Sequence, residues 1–108
     1  MMNLSCSSQK SDSFEIKYFQ SWGGYTVPKK PQYEIKPENI SEYSTYYKAY
    51  YKDGLLVKFE KYTNEELISC AEYIYWEGTE KLKQHISVNE DGEKRIHNYN
   101  KRGKKIED

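Results

Sequence analysis

The chain reads as a mainly β protein, an antiparallel meander of about five or six strands with a Pro-rich crossover and room for one short helix. Three observations predict this. Turn signals recur roughly every dozen residues through the second half, at Asp53-Gly54, Asn64-Glu65, Glu77-Gly78, Asp91-Gly92 and Arg102-Gly103. The stretches between them are rich in Tyr, Ile, Leu and Val, which suit a half-buried pleated surface. Finally, 12 Tyr, 3 Phe and 2 Trp supply large buriable areas, although a 36% apolar fraction beside 31% charged residues would alone lean towards disorder.

In chain order, residues 1–13 are polar and read as a disordered leader, and residues 14–108 as a single β-rich domain. Residues 14–19 alternate as a first strand. A loop follows in which Gly23 and Gly24 sit between the aromatic Trp22 and Tyr25, marking both rings as binding candidates. Residues 27–37 carry all three prolines and are expected to run extended without regular pairing. Pro37 followed by Glu38 predicts a helical turn or two up to Tyr43.

The meander opens with strands over 45–51 and 55–62. A three-residue loop, Lys52-Asp53-Gly54, would put Ala49 opposite Val57 and Tyr47 opposite Phe59, leaving one clean apolar face. The other face would then expose Tyr46 and Tyr50 beside Leu56 and Lys58. That aromatic-plus-charge patch is typical of protein interfaces and equally of a tyrosine ladder that stiffens a thin sheet. Residues 63–76 are ambiguous, because Thr63-x-x-Glu66 fits a helix capping box while Tyr73-Ile74-Tyr75-Trp76 favours a strand. The strand is preferred because it keeps the meander unbroken. In the last hairpin a three-residue loop, Glu90-Asp91-Gly92, sets Ile86 opposite Ile96 and His85 opposite His97.

Charge and motifs narrow the function. Seventeen basic residues balance seventeen acidic ones, so no global field draws in nucleic acid or anionic membrane. No apolar run is long enough to span a bilayer. Cys6 and Cys70 give no disulfide framework, a reducing, cytoplasmic compartment is the simplest reading, and Cys70 reads as a small core residue. Against this, Leu4-Ser5-Cys6-Ser7-Ser8 resembles a lipoprotein cleavage region, which would make the chain a lipid-anchored envelope module if a signal precedes Cys6. His85 and His97 are two metal-ligand types facing one another, short of a full ligand set, and no metal or cofactor is expected. Glu60, Glu65, Glu66, Glu72, Glu77 and Glu80 form no pair of fixed separation, and no nucleophile elbow or phosphate loop is present, so an enzyme is not expected. Pro28-x-x-Pro31 fits a polyproline ligand but reads better as an extended crossover. Arg95, Tyr99, Lys101, Arg102, Lys104 and Lys105 could hold single-stranded RNA, or could simply blunt a sheet edge.

The runs Tyr50-Tyr51-Lys52-Asp53-Gly54-Leu55-Leu56, Tyr75-Trp76-Glu77-Gly78, Asn89-Glu90-Asp91-Gly92-Glu93-Lys94 and Lys101-Arg102-Gly103-Lys104-Lys105-Ile106 resemble the repeats of MORN-variant proteins of the YwqK-like antitoxin type. The Asn64-Glu65 turn lacks the repeat's glycine, and two lysines replace the apolar residue after the last one. The resemblance implies successive β-hairpins over about 46–106 and an antitoxin or immunity-like role in bacteria. The upstream run from Tyr18 to Pro28 resembles a small bacterial domain family of unknown function, which implies no activity. The resulting expectation is a non-enzymatic bacterial protein-binding module, an immunity- or antitoxin-like protein that neutralises a partner protein such as a toxin. The alternatives are an envelope lipoprotein module and an RNA-binding accessory protein that uses the basic C-terminal hairpin.

Overall fold

The computed structural model describes residues 14–23 and 30–106. They form one eight-stranded antiparallel sheet of spatial order β2-β1-β3-β4-β5-β6-β7-β8. The strands are β1 (Glu15–Gly23), β2 (Lys30–Ile35), β3 (Thr45–Lys52), β4 (Leu55–Thr63), β5 (Glu66–Tyr75), β6 (Leu82–Val88), β7 (Lys94–Tyr99) and β8 (Lys105–Ile106). A single 3₁₀ helix, Pro37–Glu42, joins β2 to β3, with proline at its start as the sequence predicts.

Eight strands replace the expected five or six, for two reasons. Residues 30–35 pair with β1 despite Pro31, because β2 is an edge strand and the missing N–H falls where no neighbour needs it. At the other end Lys105 and Ile106 close a short eighth strand against β7. Trp22 belongs to β1 rather than to a loop, while Tyr25 and Pro28 lie outside the described residues. Residues 66–75 are strand throughout, which settles the helix–strand ambiguity.

The first hairpin differs from its expected register. Its loop has two residues, Asp53 and Gly54, both at positive φ (53° and 79°), the condition of a type I′ turn. Unmodified, that turn would set Lys48 opposite Phe59. Instead Tyr51 faces Leu56 and Tyr50 faces Lys58, so Val57 is the extra residue of a β-bulge and Phe59 returns to a place opposite Ala49. Similar shifts make Ile68 an extra residue in β5 and Lys83 one in β6. Each bulge adds local twist, and the Cα envelope of 41 × 30 × 28 Å is far thicker than a flat sheet, so the sheet coils.

Coiling buries one face. Phe19, Ala49, Leu56, Phe59, Ala71, Tyr73 and Leu82 form the core cluster there, with Tyr47, Tyr51, Tyr75 and Tyr99 packed around it. Tyr75 donates its hydroxyl to the Leu56 carbonyl at 2.7 Å, tying β5 to β4 across this core.

The last two turns are built alike. The Asn89 side-chain oxygen accepts from the N–H groups of Asp91 and Glu93, and that of Asn100 accepts from Arg102 and Lys104. Gly92 and Gly103 sit at φ 84° and 88°, a left-handed conformation that glycine adopts without penalty. The three-residue loop predicted for residues 90–92 is present, with Ile86 opposite Ile96 and His85 opposite His97.

Candidate functional site

The core face opens into a groove of about 410 Å³ across β4, β5 and β6. Its floor exists because register aligns small side chains: Ser69 and Ala71 on β5, with Ser87 directly opposite Ala71 on β6. Tyr47 and Phe59 stack at 5.1 Å and 4° to form one wall. His85 stands at the other side, held by stacking on Tyr73 at 4.9 Å and 3°. Over the rim, Lys61 Nζ reaches Glu90 Oε2 at 3.4 Å, and Trp22 stands 39% exposed at the margin. Apolar walls with a few polar groups at the edge suit an apolar side chain or small ring.

On the opposite face a polar cluster replaces the expected exposed patch. Tyr50 is only 7% exposed; its hydroxyl donates to Glu60 Oε1 at 2.9 Å, and Tyr62 donates to the same oxygen at 3.0 Å. Lys58 Nζ lies 3.4 Å from Glu60 Oε2, and the Lys48 and Lys58 ammonium groups each sit 5.2 Å from the Tyr50 ring centroid. Burial, then the Glu60 carboxylate, pushes the Tyr50 and Tyr62 phenols well above the ordinary tyrosine value. Leu56 is on the core face at 6% exposure, because the bulge at Val57 reverses its direction. Tyr46 stacks on Tyr62 at 5.4 Å and lines a second crevice of about 650 Å³ beside the 3₁₀ helix. Tyr46, Tyr50, Leu56 and Lys58 therefore do not form one exposed surface.

The basic C-terminal residues are also dispersed. Arg95 is exposed on the core-face side of β7 opposite Ser87, Lys101 and Arg102 lie in the last turn, and Lys104 and Lys105 reach the short edge. Tyr99 packs against the core, and burial raises its phenol pKa. Lys101 and Lys83 cover the Trp76 ring at 5.5 and 5.1 Å, while Trp76 Nε1 donates to the Asn100 carbonyl at 3.1 Å.

The two histidine rings face each other with centroids 5.9 Å apart at 28°. Among the described residues no group of three or more His, Cys, Asp or Glu side chains could hold a metal ion. Glu60 and Glu72 are buried at 4% and 1% exposure, and Glu65, Glu66, Glu77 and Glu80 are exposed. Cys70 is buried at 5%, as a core residue would be, but it is disulfide-bonded, so the expectation of cysteines without a bridge does not hold. No described helix is long and apolar enough to cross a membrane.

Sequence reasoning missed the groove. Its floor residues are bland individually, and only their alignment across two strands distinguishes them. No curated protein and no solved structure matches the chain. Residues 11–108 match the model of the family of unknown function DUF6156, and the chain belongs to that family.

Proposed function

We propose that this chain is a non-enzymatic protein-binding module whose groove receives an apolar side chain of a partner protein, in the manner of an immunity or antitoxin-like neutraliser. The groove between the Tyr47–Phe59 stack and His85, floored by Ser69, Ala71 and Ser87, carries the reading. The sheet edges support it. β2 carries Pro31 and a left-handed Tyr33 (φ 62°), and β8 is two residues long with Lys105 in it. Edges guarded in this way disfavour strand addition, which leaves a face as the means of contact.

The test is affinity capture from native lysate, after nuclease treatment, with wild-type and Ser87→Phe chains side by side. Phe at 87 fills the groove between Ala71 and Arg95. A protein held by the wild type and lost by the variant, at matched melting temperature, supports the reading. Equal retention would place the contact elsewhere, and loss of all material on nuclease treatment would favour RNA.

A further inference from the structure

The floor of the groove carries two hydroxyls that the fold does not use. Ser69 on β5 and Ser87 on β6 both line it and are half-buried. Among the described residues neither hydroxyl has a hydrogen-bond partner within the chain. We propose that the groove's occupant is a tyrosine side chain of the partner protein, its ring against the walls and its phenol oxygen between Ser69 and Ser87. This rests on the reading of the groove as a docking site and narrows its guest to an aromatic body with a polar tip.

Register brings the two serines together. Ser87 stands directly opposite Ala71, and Ser69 is two residues from Ala71 along β5, on the same face. The serines are therefore diagonal neighbours across the β5–β6 pair, with Cβ atoms about 7 Å apart. Two hydrogen bonds of ~2.8 Å to one oxygen bridge hydroxyls up to about 5.6 Å apart. Each serine oxygen lies one bond beyond its Cβ and can turn towards the other, so one guest oxygen reaches both. The Ala71 methyl between them leaves that oxygen room.

The hydroxyl pair selects the guest's tip. Each serine both donates and accepts. A phenol oxygen does the same, so it accepts from one serine, donates to the other and leaves all three groups satisfied. An indole N–H only donates and serves a single serine. A leucine or phenylalanine guest would strip water from both hydroxyls and replace neither bond.

The walls select the guest's body. Tyr47, half-buried and stacked on Phe59, runs along one side, with His85 on the other and Trp22 at the margin. Walls made of rings pack a further ring in offset or edge-on contact, which a serine or threonine guest is too small to make. At about 410 Å³ the groove is near the small end of ligand sites, a size for one side chain rather than a length of chain. The Lys61–Glu90 pair at the rim gives the guest's own backbone a polar border.

The test titrates the full chain with N-acetyl-tyrosinamide, N-acetyl-phenylalaninamide, N-acetyl-tryptophanamide and N-acetyl-leucinamide, following the backbone amide resonances of residues 69–71 and 85–87. The tyrosine compound should bind about tenfold more tightly than the phenylalanine compound, the net worth of two hydrogen bonds, and more tightly than the other two. Ser69→Ala and Ser87→Ala should each cut that ratio severalfold at unchanged melting temperature. Equal affinity for the phenylalanine or leucine compound would overturn the tyrosine assignment while leaving the groove an apolar docking site. Tighter binding of the tryptophan compound would overturn it as well, and so would a ratio that survives both serine substitutions. Absence of any shift with all four compounds would overturn the assignment and the docking reading together.

Discussion

The Tyr50 hydroxyl donates a 2.9 Å hydrogen bond to Glu60 Oε1 from one strand to the next, and both side chains are almost fully buried. Tyr62 and Lys58 share the same carboxylate, so one charge organises three neighbours. Removing it strands two phenol donors and an ammonium. Glu60→Ala should cost about 3 kcal/mol, read from urea unfolding midpoints, while Glu60→Gln, which keeps an acceptor, should cost about half that. Equal costs would mean that a neutral acceptor recovers nothing and that the carboxylate charge carries the whole effect.

Alkaline pH should unfold the protein. Tyr46, Tyr50, Tyr51, Tyr62, Tyr75 and Tyr99 all have phenols raised above the unfolded value of 10.0, with burial the largest cause in each case. A raised folded pKa means that the folded state holds its protons more tightly above that value. The stabilisation is complete below about pH 10 and is lost as pH climbs towards the folded values. Phenolate absorbance should therefore lag behind that of free tyrosine and rise together with loss of the β-sheet circular dichroism signal. Ionisation of all twelve tyrosines near pH 10 in a chain that stays folded would contradict it.

The β4–β5 turn holds Asn64 and Glu65 at φ 51° and 67°. Glu65 carries a left-handed penalty that glycine avoids, so Glu65→Gly should stabilise by about 1 kcal/mol, a rise of ~4–8 °C in Tm. Gly92→Ala, at φ 84°, should move Tm down by a similar amount. Differential scanning calorimetry reads both.

Trp76→Phe removes the indole bond to the Asn100 carbonyl and weakens the stack with Lys83 and Lys101. Amide exchange should quicken in β7 and β8 while β3 to β5 stay protected, because the lost contact joins the last turn to the end of β5. A uniform change across the sheet would show that the hairpin does not open separately.

Much of the fold was legible. Hairpin rhythm placed β3 through β7, and the isoleucine pattern fixed His85 opposite His97, because that hairpin contains no bulge between its loop and those residues. The Asp53-Gly54 hairpin misled the same reasoning: Val57 drops out of the pairing, so the apolar alternation satisfied a wrong loop length. Proline predicts no regular pairing at Pro31, yet it forbids only an interior strand and β2 lies at the edge. The candidate site was less legible. Tyrosines stand out in a sequence, but Tyr50 is engaged by Glu60, while the groove depends on Ser69, Ala71 and Ser87 being small and aligned.

The spatial strand order carries a kinetic consequence. From β3 to β8 each strand joins the next through a short turn, so those contacts can zip up with little chain-closure entropy. The junction between β1 and β3 is different. It encloses residues 24–44, including β2 and the 3₁₀ helix, and it must bring Ile16 beside Tyr50 over that span. Contact order therefore predicts this long-range pairing as the slow step, with β1 and β2 assembling last on the C-terminal six strands.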